Sequence, residues 1–229
     1  MQLTGIILLP PPRRLTGMSV EEALLSRRSI REFKGEAVRL VDLALILWAT
    51  YGVNDPAEGL LTTPSAGATY PLRVYLVAGE KGVVDGEAYL EAGVYRYEPR
   101  RHVLVHVRSG DVRGELSRAA LMQEYVAGAP VSIVLTAVYD ETVKVYGRRG
   151  RERYVPMEAG HACENTYLMA TALGYGAVAV GAFRDEDVLK AIGAGKGETP
   201  LYVVPIGVPV SRRVTGFDGL AEYFERARS

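Results

Sequence analysis

The sequence predicts an α+β or mixed α/β sandwich, and three observations carry that expectation. Four segments rich in β-branched and aromatic residues alternate with helical patterns, two strand-like runs are joined as a clear hairpin, and 48% of the residues are apolar. At 229 residues the chain buries a sizeable core, and no Pro-, Gly- or Ser-rich linker and no internal repeat divides it. Residues 1–229 therefore read as one domain.

In chain order, Ser19-Val20-Glu21-Glu22 is a capping box, predicting a helix to about Leu25 or Ser26. Arg39 to Tyr51 is apolar nearly all round, predicting a buried central helix that closes at Gly52 in a left-handed terminator. The strand segments are Arg73–Ala78, Gly93–Tyr97 paired with His102–Val107 through Glu98-Pro99-Arg100-Arg101, Val131–Val138 and Leu201–Val208. Helical patterns cover Asp111–Tyr125, Met157–Leu173 and Asp185–Ile192, the last closed by Gly193.

Composition excludes several classes. The 27 basic and 27 acidic residues cancel, so no long-range field collects nucleic acid or an anionic membrane. One cysteine excludes a disulfide scaffold. The run Ile6–Leu9 is too short for a signal peptide and its Arg13-Arg14 pair follows rather than precedes it, so a cytoplasmic location is expected. There is no Gly-x-Ser-x-Gly elbow, no Gly-Lys-Ser/Thr phosphate loop and no strand-borne Gly-x-Gly-x-x-Gly.

Candidate chemistry is concentrated in a few places. Arg27-Arg28-Ser29-Ile30-Arg31 offers three guanidinium forks and a hydroxyl, suited to a phosphate or, more plainly, to a solvated turn. Pro64-Ser65-Ala66-Gly67-Ala68-Thr69-Tyr70-Pro71 is a run of small residues that lets backbone approach a flat ligand, or is simply a loop. Gly174–Phe183 is an apolar, glycine-flanked segment read as a ligand edge or a core strand, and Arg212-Arg213 adds two more forks.

Other polar residues carry less. Glu158 and His161, with Asn165 beyond them, have the spacing of half a di-iron site, but the second half is missing and no metal is expected. His102 and His106 read as exposed strand positions, Cys163 as a buried small apolar residue, and Arg148-Arg149-Gly150-Arg151 as a solvated loop.

Taken together, the segments resemble the FMN-dependent nitroreductase superfamily and its SagB-type dehydrogenase branch, relatives of azoline oxidases. The matching pieces are Ser26–Phe33, Leu47–Gly52, Pro64–Leu72, Gly93–Tyr97, Glu158-Ala159-Gly160-His161 with Asn165, and Gly174–Phe183, in the family's order across nearly the whole chain. Gly67-Ala68-Thr69-Tyr70, where many nitroreductases carry Asn, favours the SagB-like branch, whereas an adjacent Lys-Tyr base pair is missing.

The resemblance implies an α+β fold with a mixed or antiparallel sheet between helices, and a homodimer with FMN at the subunit interface. It implies Arg27, Arg28 and Ser29 at the FMN phosphate and ribityl chain, and Arg31 at the pyrimidine edge. It also implies Pro64, Ser65, Ala66 and Gly67 as a loop from the partner subunit, Gln123 against the ring, Val180, Gly181 and Ala182 near N5, and Arg212 or Arg213 completing the phosphate clamp. The expected activity is NADH- or NADPH-driven reduction of a small planar acceptor. Dehydrogenation of azoline peptides, or flavin binding without turnover, are the alternatives.

Overall fold

The computed structural model describes residues 5–212 and 216–228. In chain order its elements are β1 (Ile6–Leu8), α1 (Val20–Ser26), β2 (Val38–Arg39), α2 (Leu40–Tyr51), β3 (Val53–Asp55), β4 (Leu60–Leu61) and β5 (Leu72–Ala78). There follow β6 (Val83–Asp85), β7 (Ala88–Tyr89), β8 (Gly93–Glu98), β9 (Val103–Ser109), α3 (Arg113–Ala119), α4 (Glu124–Gly128) and β10 (Val131–Val138). The chain ends with α5 (Tyr139–Tyr146), α6 (Val155–Ala172), β11 (Gly176–Ala177), α7 (Asp185–Ile192), β12 (Glu198–Gly207) and α8 (Phe217–Arg228).

Seven strands form one sheet in the order β1-β9-β8-β5-β10-β12-β11, and every pairing in it is antiparallel. Side chains alternate across it by the strand period of two. Val131, Ile133 and Leu135 of β10, with Leu72, Val74 and Leu76 of β5, join a core that includes Leu43, Ile46 and Leu47 of α2 and Ala159, Ala162 and Tyr167 of α6. Val134, Tyr75 and Val77 face the other way, onto Leu116 of α3, Val126 of α4 and Val188 and Ile192 of α7. Burying each such Leu or Ile stabilises the fold by roughly 1.5–3 kcal/mol. The result is an α+β fold with a helical layer on each face of an antiparallel sheet.

Several expectations hold in detail. The Ser19 hydroxyl accepts from the Glu22 amide at 3.2 Å while the Glu22 carboxylate accepts from the Ser19 amide at 2.7 Å, and α1 ends at Ser26. Gly193 caps α7 in the left-handed region. Cys163 is buried, and burial pushes its thiol up to about 12.

Others are corrected. Gly52 is extended, with φ −83°, not left-handed; glycine is needed there because a Cβ would lie 2.4 Å from Cδ1 of Trp48. The expected helix Asp111–Tyr125 breaks into α3 and α4, because Leu121 and Met122 both take left-handed backbone between them. The Arg148–Arg151 run is helical, not a loop: it joins α5 to a π-helical turn over Gly150–Tyr154, with Arg148 paired to Glu152 and Arg151 lying over the Tyr139 ring. His102 sits in the hairpin turn with φ 49°, and its half-buried ring bonds the Tyr97 hydroxyl and the Pro10 carbonyl, so burial lowers its pKa. His106 lies in β9 but is half-buried and edge-on to Tyr95. Among the described residues no helix is long and apolar enough to cross a membrane.

Candidate functional site

The stretch after α1 is fastened to the segment after α6. Once α1 closes with the Arg27 amide on the Ala23 carbonyl, the chain runs extended: Ser29 pairs with Ala177 in parallel, and the Ile30 amide donates to the Ala177 carbonyl at 2.9 Å. This contact requires Gly176, where a Cβ would stand 2.7 Å from that of Ile30. Tyr167 of α6 completes the junction. Its hydroxyl accepts from the Ala179 amide at 2.6 Å and shares a 3.1 Å hydrogen bond with the Ser29 hydroxyl. The Arg27 guanidinium lies over the Tyr167 ring, 5.1 Å from its centroid, and 3.6 Å from Glu164.

A second chain of contacts reaches the same segment from α4. The Arg31 guanidinium lies 5.9 Å from the Tyr125 ring centroid, the Tyr125 hydroxyl donates to Gln123 Oε1, and Gln123 Nε2 donates to the Ala182 carbonyl at 3.1 Å. Val180 is held by two hydrogen bonds with Val203 of β12, whereas Gly181 and Ala182 stay exposed. Nothing lies within 4 Å of where a Gly181 Cβ would be. Ser29, Arg27, Arg31, Gln123 and Val180–Ala182 thus belong to one connected surface. Tyr167 and Tyr125 join them, two residues sequence reasoning missed because a tyrosine in a helix pattern looks like core.

Arg28 and Arg212 both line a cavity of about 200 Å³ together with Ile30, Tyr175 and Gly176. Arg28 donates to the carbonyls of Leu25 and Arg27, and a Cβ on Gly174 would stand 3.0 Å from the Arg212 guanidinium. Among the described residues neither Arg28, Arg31 nor Arg212 has a carboxylate partner, while Arg39, Arg73, Arg96, Arg108, Arg113, Arg148 and Arg184 all do. Arg28 and Arg212, two guanidiniums without a carboxylate at one cavity lined by Gly176, fit a phosphate-bearing ligand. Arg213 lies outside the described residues.

Pro64–Gly67 is not joined to this surface within one protomer: among the described residues no hydrogen bond or ion pair links the two. The loop forms a 3-10 turn over Ala66–Ala68 against α2, α5 and α6, and a Cβ on Gly67 would meet the Tyr146 hydroxyl at 2.5 Å. Beneath it, Glu158 is 2% exposed and takes a 2.6 Å hydrogen bond from the Tyr51 hydroxyl, with the Ser65 hydroxyl also acting on its carboxyl. Burial pushes the Glu158 carboxyl up, with those two hydroxyls pulling it back. His161 is exposed while Glu158 is buried, so the pair does not converge, and no group of three metal-ligating side chains occurs among the described residues. A larger cavity of about 520 Å³, beside β1, β6 and β7, takes no residue from this surface.

Comparison with known proteins agrees with this architecture. The nitroreductase family model matches residues 24–208. MJ1384 of Methanocaldococcus jannaschii, which carries a nitroreductase name, is 44% identical over 190 residues, 83% of this chain and 91% of that protein. A nitroreductase-named crystal structure from Ralstonia eutropha JMP134 superposes with TM-score 0.76 and 30% identity, covering 90% of each chain. More distant folds include the Escherichia coli microcin synthetase McbBCD complex with truncated pro-MccB17 (TM-score 0.68, 21% identity, 92% of this chain and 78% of that one). They also include the NADPH:FMN oxidoreductase of Vibrio harveyi complexed with NAD+ (0.59, 17%, 91% and 84%). With its antiparallel sheet, its helical layers and a match over most of its length, this chain belongs to the nitroreductase family and is an oxidoreductase.

Proposed function

We propose that the chain is an FMN-dependent oxidoreductase that works as a homodimer, takes electrons from NADH or NADPH, and reduces a small planar acceptor. Residues 1–229 then form one FMN-binding domain. The observation that carries this reading is the convergence of Arg28 and Arg212, both without carboxylate partners among the described residues, on one cavity lined by Tyr175 and Gly176, the start of the segment that leads through β11 to the exposed Gly181-Ala182 backbone. A flavin phosphate carries close to two negative charges, and two guanidinium forks match it without any net positive charge on the protein.

When bound, FMN would supply the redox chemistry, a two-electron relay between the nicotinamide donor and the acceptor. The protein binds and orients. Arg28 and Arg212 hold the phosphate, with Arg213 as a further candidate. Arg27 and Ser29, steadied by Tyr167, stand beside the ribityl chain, and Arg31 serves the pyrimidine edge. Gln123 and the Val180-Gly181-Ala182 backbone present polar atoms to the ring edge, and Pro64, Ser65, Ala66 and Gly67 reach the flavin of the partner subunit. Support for the dimer comes from α8, a 12-residue helix with no buried residue and with Phe217, Tyr223 and Phe224 exposed. A helix of that length is marginal without packing.

The protein purified with FMN is expected to be yellow and to bleach anaerobically with NADH or NADPH, recovering on addition of a quinone or nitroaromatic. A colourless protein that gains no flavin absorbance after incubation with FMN overturns the reading. A second reading, azoline dehydrogenation in peptides, is supported by the fold likeness to the microcin synthetase complex. Turnover of azoline peptides with oxygen, in preference to NAD(P)H-driven reduction, would establish it instead.

A further inference from the structure

Below the Pro64–Tyr70 loop lies a buried acid that the proposed chemistry does not use. We propose that Glu158 is a positioning residue that sets the shape of this loop through two hydroxyl relays, from Tyr51 and Ser65. The inference rests on the reading in which the loop faces a flavin.

Both hydroxyls accept an amide proton where the loop runs into β5. The Tyr51 hydroxyl donates to Glu158 at 2.6 Å and accepts from the Leu72 amide at 3.3 Å. The Ser65 hydroxyl, which together with Tyr51 holds back the rise of the Glu158 carboxyl, accepts from the Tyr70 amide at 2.9 Å. A hydroxyl has one proton, so a carboxylate that takes that proton leaves only lone pairs for the loop amides. Glu158, on α6 and 2% exposed, thereby fixes the direction of both relays at once.

The loop needs such a hold. Gly67, Ala68 and Tyr70 all take left-handed backbone, with φ of 59°, 51° and 47°. For Ala68 and Tyr70 this conformation is strained and persists only when its surroundings over-determine it. The Tyr70 ring is held in turn by the Leu61 amide on its hydroxyl at 3.1 Å and by an edge contact with Tyr51 at 6.1 Å. A glutamine at position 158 offers both an acceptor and a donor; its NH₂ would face one hydroxyl and turn that relay around.

The test compares wild type with Glu158→Gln and Tyr51→Phe, first by amide hydrogen exchange on the FMN-free chain. Glu158→Gln is expected to speed exchange at Tyr70 and Leu72, and Tyr51→Phe at Leu72, by about tenfold while Leu76 and Val77 of β5 keep their protection. Unchanged exchange at Tyr70 and Leu72, or equal acceleration along the whole of β5, overturns the relay. The FMN dissociation constant of the full chain is then expected to rise about tenfold in both variants, with a shifted flavin absorption band. An unchanged constant and band in a wild type that binds FMN overturn the role toward the flavin. A wild type that binds no FMN overturns the flavin reading instead, and the exchange result alone then decides the relay. Tyr51→Phe keeps the buried ring, so it reports even if Glu158→Gln does not fold.

Discussion

Two groups of arginines in this molecule have the same side chain and opposite surroundings. On the sheet side, Arg108 forms a two-pronged pair with Glu115 and reaches the Ala191 carbonyl, and Arg113 grips Asp111 and the Ala129 carbonyl while lying over Gly79. At the junction of α1 with the segment after α6, Arg28, Arg31 and Arg212 have no carboxylate within reach among the described residues. Arg27 stands between the groups, stacked on Tyr167 and close to Glu164. A guanidinium whose fork is filled by the protein holds the fold together. One without a carboxylate at a cavity is available to a ligand anion, a local property that total charge, being zero, does not report.

The largest expected effect breaks the contrast at its open side. Replacing Arg28 and Arg212 together by Ala should weaken FMN binding by about a hundredfold or more, roughly 3 kcal/mol, since hydrogen bonds to charged groups are worth about 1.5–3 kcal/mol each. The thermal midpoint of the FMN-free chain should hardly move. Titration of FMN fluorescence and a melt measure the two quantities, and an unaltered affinity removes these arginines from the phosphate. The mirror image is Arg113→Ala, which should cost about 1–2 kcal/mol of stability, read by urea unfolding, and leave FMN affinity as it was. If affinity falls instead, the division between the two groups fails.

Smaller effects sharpen it. Gln123→Ala removes the bond to the Ala182 carbonyl and the acceptor of Tyr125, and about a fivefold loss of kcat/KM, about 1 kcal/mol, is expected in acceptor reduction. Asp111 supplies a pH signature. Burial raises its pKa, but the Arg113 ion pair and the Glu80 and Arg113 amides outweigh this and leave it below 3.8. With the folded value depressed, its stabilisation is complete above the ordinary Asp range and is lost as pH falls through the folded value. The acid limb of unfolding stability should therefore be steeper in wild type than in Arg113→Ala, and equal limbs would contradict the pairing. The smallest change is expected at the exposed Arg148–Glu152 pair, where Arg148→Ala should alter stability by less than about 0.5 kcal/mol and FMN affinity not at all.

Much of the fold was legible in the chain because it is written locally. Runs rich in β-branched residues such as Val131–Val138 and the capping box at Ser19 carry their signal within a few neighbours, and both stand where the sequence places them. The two-residue strands β2, β4, β7 and β11 carry no period and exist only because partners arrive from elsewhere. Leu121 and Met122 interrupt a helical pattern with a left-handed step that no side-chain type at those positions announces.

The candidate site divides in the same way. Residue type and order alone singled out Arg27–Arg31, Pro64–Gly67 and Gly174–Phe183 as candidates, because a guanidinium fork or a missing Cβ has its chemistry wherever the chain puts it. Only the tertiary structure decided which forks are filled. It also bound Ser29 to Ala179 through Tyr167, and placed Glu158 between hydroxyls 107 residues away at Tyr51 and across the loop at Ser65. Pairing and burial are properties of distance in space, and contacts between residues that far apart in sequence leave no periodic trace in it.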